Sequence, residues 1–256
     1  MSEPNPQSVG IDVVDCFERR MRGKAGDDRF VARVFSPDEA KRIRSAHDPD
    51  LLLWLMWAAK EAVFKAETVA LGEPPVFDHS TFVVSVPDQA LSFEYPPEID
   101  LPAWRPVVSG TVLRSGVEIP VEWSVTGGVT CITPPSTLAH VKQKIGVESL
   151  SGAAARLGAP KELSALIQGH FQEAESRAMH SLPSGLARLA AREAAVELMG
   201  IESERIRIVT PPGPAGRTPP HLEVDGQRDP RVALSISHHG DRIAWVVRVT
   251  SGRAGS

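Results

Sequence analysis

The stretch LLLWLMWAAKEAVFKA, residues 51–66, constrains this chain more than any other. Its first part is apolar all round at helical spacing, so a helix over residues 50 to 66 has to be largely buried. Yet it carries Lys60, Glu61 and Lys65, and a buried charge is costly unless it is paired or put to use. Trp57, Glu61 and Lys65 are spaced four apart and share one face. That face reads either as a simple ion pair one turn apart or as a place where a carboxylate and an ammonium meet a ligand.

The 256 residues are 42% hydrophobic and 23% charged, which fits one large or two small domains. Residues 1–9 and 251–256 lack apolar periodicity and read as tails. No charged start leads into an apolar stretch, and the longest apolar run stops at Lys60, short of the roughly 20 residues that span a bilayer. A cytoplasmic protein with no membrane association is therefore expected. Cys16 and Cys131 lack disulfide or metal-ligand spacing and read as small buried hydrophobes. The formal net charge of -4 argues against nucleic-acid binding. Against that background Arg19, Arg20, Arg22, Lys24, Arg29 and Arg33 cluster within residues 19–33, either as a solvated helix face or as a docking surface for an acidic partner.

A weak internal repeat relates AAKEAVFKA (58–66) to AAREAAVEL (190–198). Each copy is followed by β-type stretches: 81–86, 105–113, 117–125 and 129–134 in the first half, and 205–210, 221–224, 232–237 and 242–249 in the second. The expected fold is α+β, a pseudo-dimer of two similar halves, each a long helix packed on an antiparallel sheet. The halves are expected at residues 1–133 and 147–250, joined by a linker over 134–146, with 147–181 helical around a break at 158–160.

GIDVVD, residues 10–15, reads as a short apolar strand. Its Asp12 is either a turn or capping residue or, beside a helix glutamate, an oxygen ligand for Mg²⁺. Taken in order, GIDVVD, RFVARVFSPDEAKRI (29–43) and WAAKEAVFKA resemble the signature of the 4'-phosphopantetheinyl transferases, the holo-acyl-carrier-protein synthases in particular. GLARLAAREAAVELMG (185–200), GRTPPHL (216–222) and SISHHGD (235–241) resemble the other half of the larger, surfactin-type members, although there the serine-histidine half comes first. The resemblance implies transfer of phosphopantetheine from coenzyme A, as co-substrate, to a serine of an acyl or peptidyl carrier protein. It implies Mg²⁺ on Asp12 and Glu61, with Glu61 also helping to deprotonate the serine and Lys65 on the transferred phosphate; Asp15 faces away from Asp12 on the strand.

In the second half the resemblance implies coenzyme A contacts from Ser237 and His238, from Arg188 and Arg192 as a forked pair, and from Gly216, Arg217 and Pro219 in a turn whose register Thr218 disturbs. His239 is expected to be idle. No GID-like strand is recognised before Glu193, and Lys65 is matched by Glu197, so one composite site per chain, built between the halves of a monomer, is expected. The rival reading is an inactive homologue that binds carrier or nucleotide; retention of Asp12, Glu61 and Lys65 together argues against it.

Overall fold

The computed structural model describes residues 8–16, 18–76, 78–87, 108–125, 128–134, 141–213 and 216–251. The first strand, β1 (Ile11–Val14), leads through two single 3-10 turns into α1 (Asp28–Val34), α2 (Pro37–Ser45) and the long α3 (Pro49–Leu71). Helix α3 begins where the Asp48 side chain accepts from Leu51 N at 3.0 Å and Pro49 fits the first turn; it ends at Gly72, whose φ of 77° an L side chain rarely adopts. Strands β2 (Phe82–Ser85), β3 (Val108–Arg114), β4 (Val117–Val125) and β5 (Val129–Ile132) follow. Next come β6 (Val141–Ser149), α4 (Leu150–Arg156), α5 (Leu163–His170), α6 (Glu173–Ser176) and α7 (Leu182–Met199). The chain closes with β7 (Ile206–Val209), β8 (Pro212–Gly213), β9 (Gly216–Arg217), β10 (His221–Val224), β11 (Gln227–Arg228), β12 (Val232–His239) and β13 (Arg242–Thr250).

The architecture is mixed helix and antiparallel sheet, as the α+β expectation holds. One sheet has the order β1-β5-β4-β3-β2; two smaller ones are β6-β13-β12 and β7-β10-β11, with β10 lying beside β12. Followed from β6 through β13, β12 and β10 to β7, the second set repeats the order of the first. Helix α3 buries Leu52, Leu55, Met56 and Ala59 against Val112, Val121 and Trp123, whose indole N–H donates to Leu55 O at 2.9 Å. Helix α7 lays Ala190, Ala191, Ala194 and Ala195 against Ile208, Leu234, Trp245 and Val247. A third cluster joins the two: Val9, Ile11 and Val13 meet Ala233, Ala244 and Val246.

Residues 141–146, expected as linker, are strand: all of β6 pairs with β13, from Val141↔Thr250 to Ser149↔Arg242. Alternating lysine and glutamine in VKQKIG hid it, because β6 buries only part of its length. Residues 135–140 and 105–107, also assigned from sequence, lie outside the described residues. The basic segment is not one helix but two 3-10 turns followed by α1.

Each long helix buries a cation at a matching position. Lys60, fully buried, donates to Glu39 Oε2 at 2.8 Å and to the carbonyls of Val34 (3.1 Å) and His79 (3.0 Å), its ammonium 5.1 Å from the Phe35 ring. Arg192 donates to His170 O at 2.8 Å, lies 3.6 Å from Glu175 and sits 5.0 Å over Phe171. Glu39 and Glu175 each close a capping box and accept from a strand, at Val84 N and Ile208 N. Removing one partner of such a pair leaves a buried charge uncompensated. Lys60→Met is expected to cost about 3–5 kcal/mol in chemical denaturation, with much of the loss recovered in Lys60→Met/Glu39→Gln.

Candidate active site

Gly10 decides how close β1 comes to α3. A Cβ built there would lie 1.8 Å from Ala62 O and 2.7 Å from Ala66 N, both backbone atoms, so the strand rests directly on the helix main chain. The next residues of β1 therefore meet the side chains one turn apart on α3. Within residues 51–66, Trp57, Glu61, Phe64 and Lys65 are partly exposed and the rest buried, so Trp57, Glu61 and Lys65 share the open side of the helix, and Trp57 and Glu61 line a cleft.

The charge on that face is paired across the fold rather than along the helix. Lys65 Nζ donates to Asp12 Oδ1 at 2.6 Å, to Ile11 O at 3.1 Å and to Ser237 Oγ at 3.0 Å. The Ser237 hydroxyl donates to the same Asp12 Oδ1 at 2.8 Å. Asp12 is thus fixed by a lysine from α3 and a serine from β12, at the junction between the two helix-on-sheet layers.

Strand β12 covers the open edge of β1 with side chains instead of backbone. Ser235, Ser237 and His239, every second residue on one face, accept from the N–H groups of Ile11 (3.2 Å), Val13 (3.4 Å) and Asp15 (3.2 Å). Sequence reading missed this role: Ser237 is committed to Asp12, Lys65 and Val13, and His239, expected to be idle, holds β1 in place. Asp15 accepts from Asp241 N at 3.0 Å.

Glu61 lines the same cleft of about 390 Å³, with Asp12, Lys24, Phe30, Trp57 and His238. Burial, then the nearby Asp12 charge, push its carboxyl up to about 7, against the opposing pull of Lys65. His79 Nε2 lies 3.6 Å from Glu61 Oε1, and its ring stacks on Trp57 at 4.9 Å. Burial and the charges of Lys60 and Arg33 pull His79 below its usual value, so it faces Glu61 as a neutral imidazole near neutral pH.

The raised Glu61 value ties stability to pH. Folding favours the protonated carboxyl, a contribution complete below about 4.5 and lost as pH rises through about 7. Metal-free Glu61→Gln, which resembles the protonated form, is expected to exceed the parent in stability by about 2 kcal/mol above pH 7 and to match it below pH 4.5. Urea denaturation in EDTA at several pH values measures this.

Several expected contacts are not brought to this cleft. Arg188 is buried, donating to Ser184 O at 3.2 Å and Thr210 Oγ1 at 3.1 Å. Arg192 is held as described above, and neither arginine lines the cleft. Expected as a forked pair for phosphate, both are instead buried and bonded within the protein. Gly216 and Arg217 form β9, paired with β8, and their side chains lie outside the described residues. Pro219, half-buried, follows them and does not line the cleft. His238, exposed, does line it. Both thiols are pushed up by burial, Cys16 to about 12, so they are not reactive centres.

Among the described residues no group of three or more His, Cys, Asp or Glu could hold a metal alone. The donor set still fits Mg²⁺, which takes one or two carboxylates and completes its shell with water and substrate phosphate. Asp12 and Glu61 are hard oxygen donors whose mutual repulsion, visible in the raised Glu61 value, a divalent cation would relieve. Among the described residues no helix is long and apolar enough to cross a membrane.

Residues 8–105 match the family model of the 4'-phosphopantetheinyl transferase superfamily. The chain is 38% identical over 69 residues to a holo-[acyl-carrier-protein] synthase of Verminephrobacter eiseniae, covering 27% of this chain and 53% of that protein. It is 39% identical over 64 residues to one from Moorella thermoacetica, covering 25% and 49%. It spans about half the length of these curated relatives. The first part of this chain, which supplies Asp12, Glu61, Lys65 and the aromatic wall of the cleft, is the part similar to the 4'-phosphopantetheinyl transferase superfamily.

Proposed function

We propose that this protein transfers the phosphopantetheine group of coenzyme A to a serine of an acyl or peptidyl carrier protein. The observation that carries the reading is the meeting of Asp12 and Glu61 in one cleft, with Lys65 bonded to Asp12 behind it, on the part of the chain that matches the superfamily. In the reaction the serine oxygen bonds to the phosphorus that bears pantetheine, the pyrophosphate bridge breaks, and adenosine 3',5'-bisphosphate leaves. Chemistry of this kind asks for alignment and charge neutralisation.

Mg²⁺, held by Asp12 and Glu61, would neutralise the pyrophosphate. Lys65 adds a fixed positive charge beside it while holding Asp12 in place. Glu61 accepts the proton of the serine hydroxyl, a task suited to a carboxyl whose value lies near neutrality. Trp57 and Phe30, stacked at 5.5 Å, offer an apolar wall, and His238 and Lys24 can donate to phosphate oxygens at the rim. The matching strand orders and the two buried ion pairs support a pseudo-dimer within one chain, its halves meeting at β1 and β12. Incubation with coenzyme A, Mg²⁺ and an apo carrier protein tests the activity: a mass gain of one phosphopantetheine on the carrier is expected, and its absence across fatty-acid, polyketide and peptide carriers rejects the function.

The basic segment supports an acidic partner. Arg19, Arg20, Arg22 and Arg29 are exposed, while Met21 and Lys24 of the same segment line the cleft. Charge there would steer a carrier's acidic surface toward Glu61. Arg22→Glu or Arg29→Glu is expected to raise KM for the carrier roughly fivefold at low salt, less at high salt, with KM for coenzyme A unchanged. Steady-state kinetics at two ionic strengths measures both constants.

A further inference from the structure

The second half carries a counterpart of the Asp12–Glu61 pair that the sequence concealed. Strand β6 holds the place in its sheet order that β1 holds in the first. Its Gly146, Val147 and Glu148 stand 136 residues after Gly10, Ile11 and Asp12, the same interval that separates His170, Phe171 and Glu175 from Val34, Phe35 and Glu39. Those last residues make matching contacts to Arg192 and Lys60. Glu193 follows Arg192 as Glu61 follows Lys60. The expectation that no GID-like strand precedes Glu193 is therefore corrected: the strand is β6, with valine and glutamate in place of isoleucine and aspartate.

What differs is the cation. Arg156, the last residue of α4, donates from Nε to Glu148 Oε2 at 2.8 Å and from Nη2 to Glu148 Oε1 at 2.7 Å, a bidentate fork, while Nη1 bonds Glu193. Glu148 is 7% exposed, whereas Arg156 and Glu193 lie at the surface and line a second cleft of about 240 Å³. Among the described residues of the first half, the segment after β1 sends no such group between the carboxylates: Arg20 pairs with Glu18 and Lys24 with Asp27. The lysine position is reversed as well, since Glu197 pairs with Lys144 where Lys65 holds Asp12.

We propose that Glu148 and Glu193 are a converted copy of the metal site, in which the Arg156 guanidinium serves as a permanent cation and closes the pair to divalent ions. The inference rests on the reading of Asp12 and Glu61 as metal carboxylates, and it accounts for one reaction centre in a chain with two such pairs. A guanidinium suits the substitution: it is always charged, planar and able to bond two carboxylates at once. Because its bonds satisfy Glu148 internally, this half can serve as a fixed support for β12 and its Ser237.

The test removes the first pair so that the second is read alone. Thermal unfolding of the full chain is followed in millimolar Mn²⁺ and in EDTA for the parent, Asp12→Asn, Asp12→Asn/Arg156→Gln, and that double variant with Glu148→Gln added. The Asp12→Asn midpoint should be indifferent to Mn²⁺; the double variant should regain a rise of about 3 °C; Glu148→Gln should abolish it. Arg156→Lys in the same background retains a cation and should stay indifferent, which also reports on folding if glutamine at 156 is poorly tolerated. A folded double variant without a Mn²⁺ response overturns the inference, as does a response that survives Glu148→Gln. The parent's own response is read separately: its absence counts against the Asp12–Glu61 site, whatever the variants show.

Discussion

Glu61→Gln and Asp12→Asn are each expected to lower turnover of carrier-protein modification on the order of 10²- to 10³-fold, with the fold retained. Each exchange keeps the shape of the side chain and removes one negative oxygen. The two losses should differ in kind. Glu61 is asked to accept a proton as well as to face the metal, so added Mg²⁺ should recover little activity in Glu61→Gln. Asp12 is held by Lys65 at 2.6 Å and Ser237 at 2.8 Å, and asparagine can keep the Ser237 bond but loses the charge that balances Lys65. Its defect should appear as a requirement for Mg²⁺ raised far above the millimolar range, with part of the rate returning only there. Kinetics over a Mg²⁺ series, with circular dichroism to verify folding, separates the cases. Near-normal turnover of either variant at limiting Mg²⁺ rejects the carboxylate assignment.

Gly10→Ala should have an effect of comparable size for a mechanical reason. The added methyl would lie 1.8 Å from a helix carbonyl oxygen, and backbone has no rotamer by which to yield. Either β1 lifts from α3 or the variant loses stability, by about 3 kcal/mol on the scale of overpacked cores. Lifting the strand also moves Asp12 away from Glu61 and Lys65, and a displacement near 1 Å costs about 10²-fold in a reaction that depends on alignment. Activity is therefore expected to fall further than the loss of folded protein explains. Thermal unfolding and turnover measured on the same preparation test this. A variant with unchanged activity would show that the close approach of β1 is not needed to set the site.

The sequence alone determined the long buried helix, the face on which Trp57, Glu61 and Lys65 lie, the strand that carries Asp12, and most later strands. These are written in local periodicity: a side-chain repeat of 3.6 or 2 residues is set by the backbone and survives whatever the element packs against. Strand β6 escaped because it is only partly buried and its lysines and glutamine dilute the alternation. Tertiary structure alone decided which charges meet. Lys65 could have paired within its helix but bonds Asp12 and Ser237 from two distant strands, Lys60 is matched by Glu39, and Arg188 and Arg192 turn into the protein rather than toward a phosphate. An arginine at a helix end, Arg156, and a glutamate in a polar strand, Glu148, each look like ordinary surface residues in sequence. They become a fixed ion pair only when β6 takes its place beside β13 and brings Glu148 within reach of α4 and α7. A side chain's partner depends on which surfaces are buried together, and that choice is made by the packing of the whole chain, not by the neighbours of a residue along it.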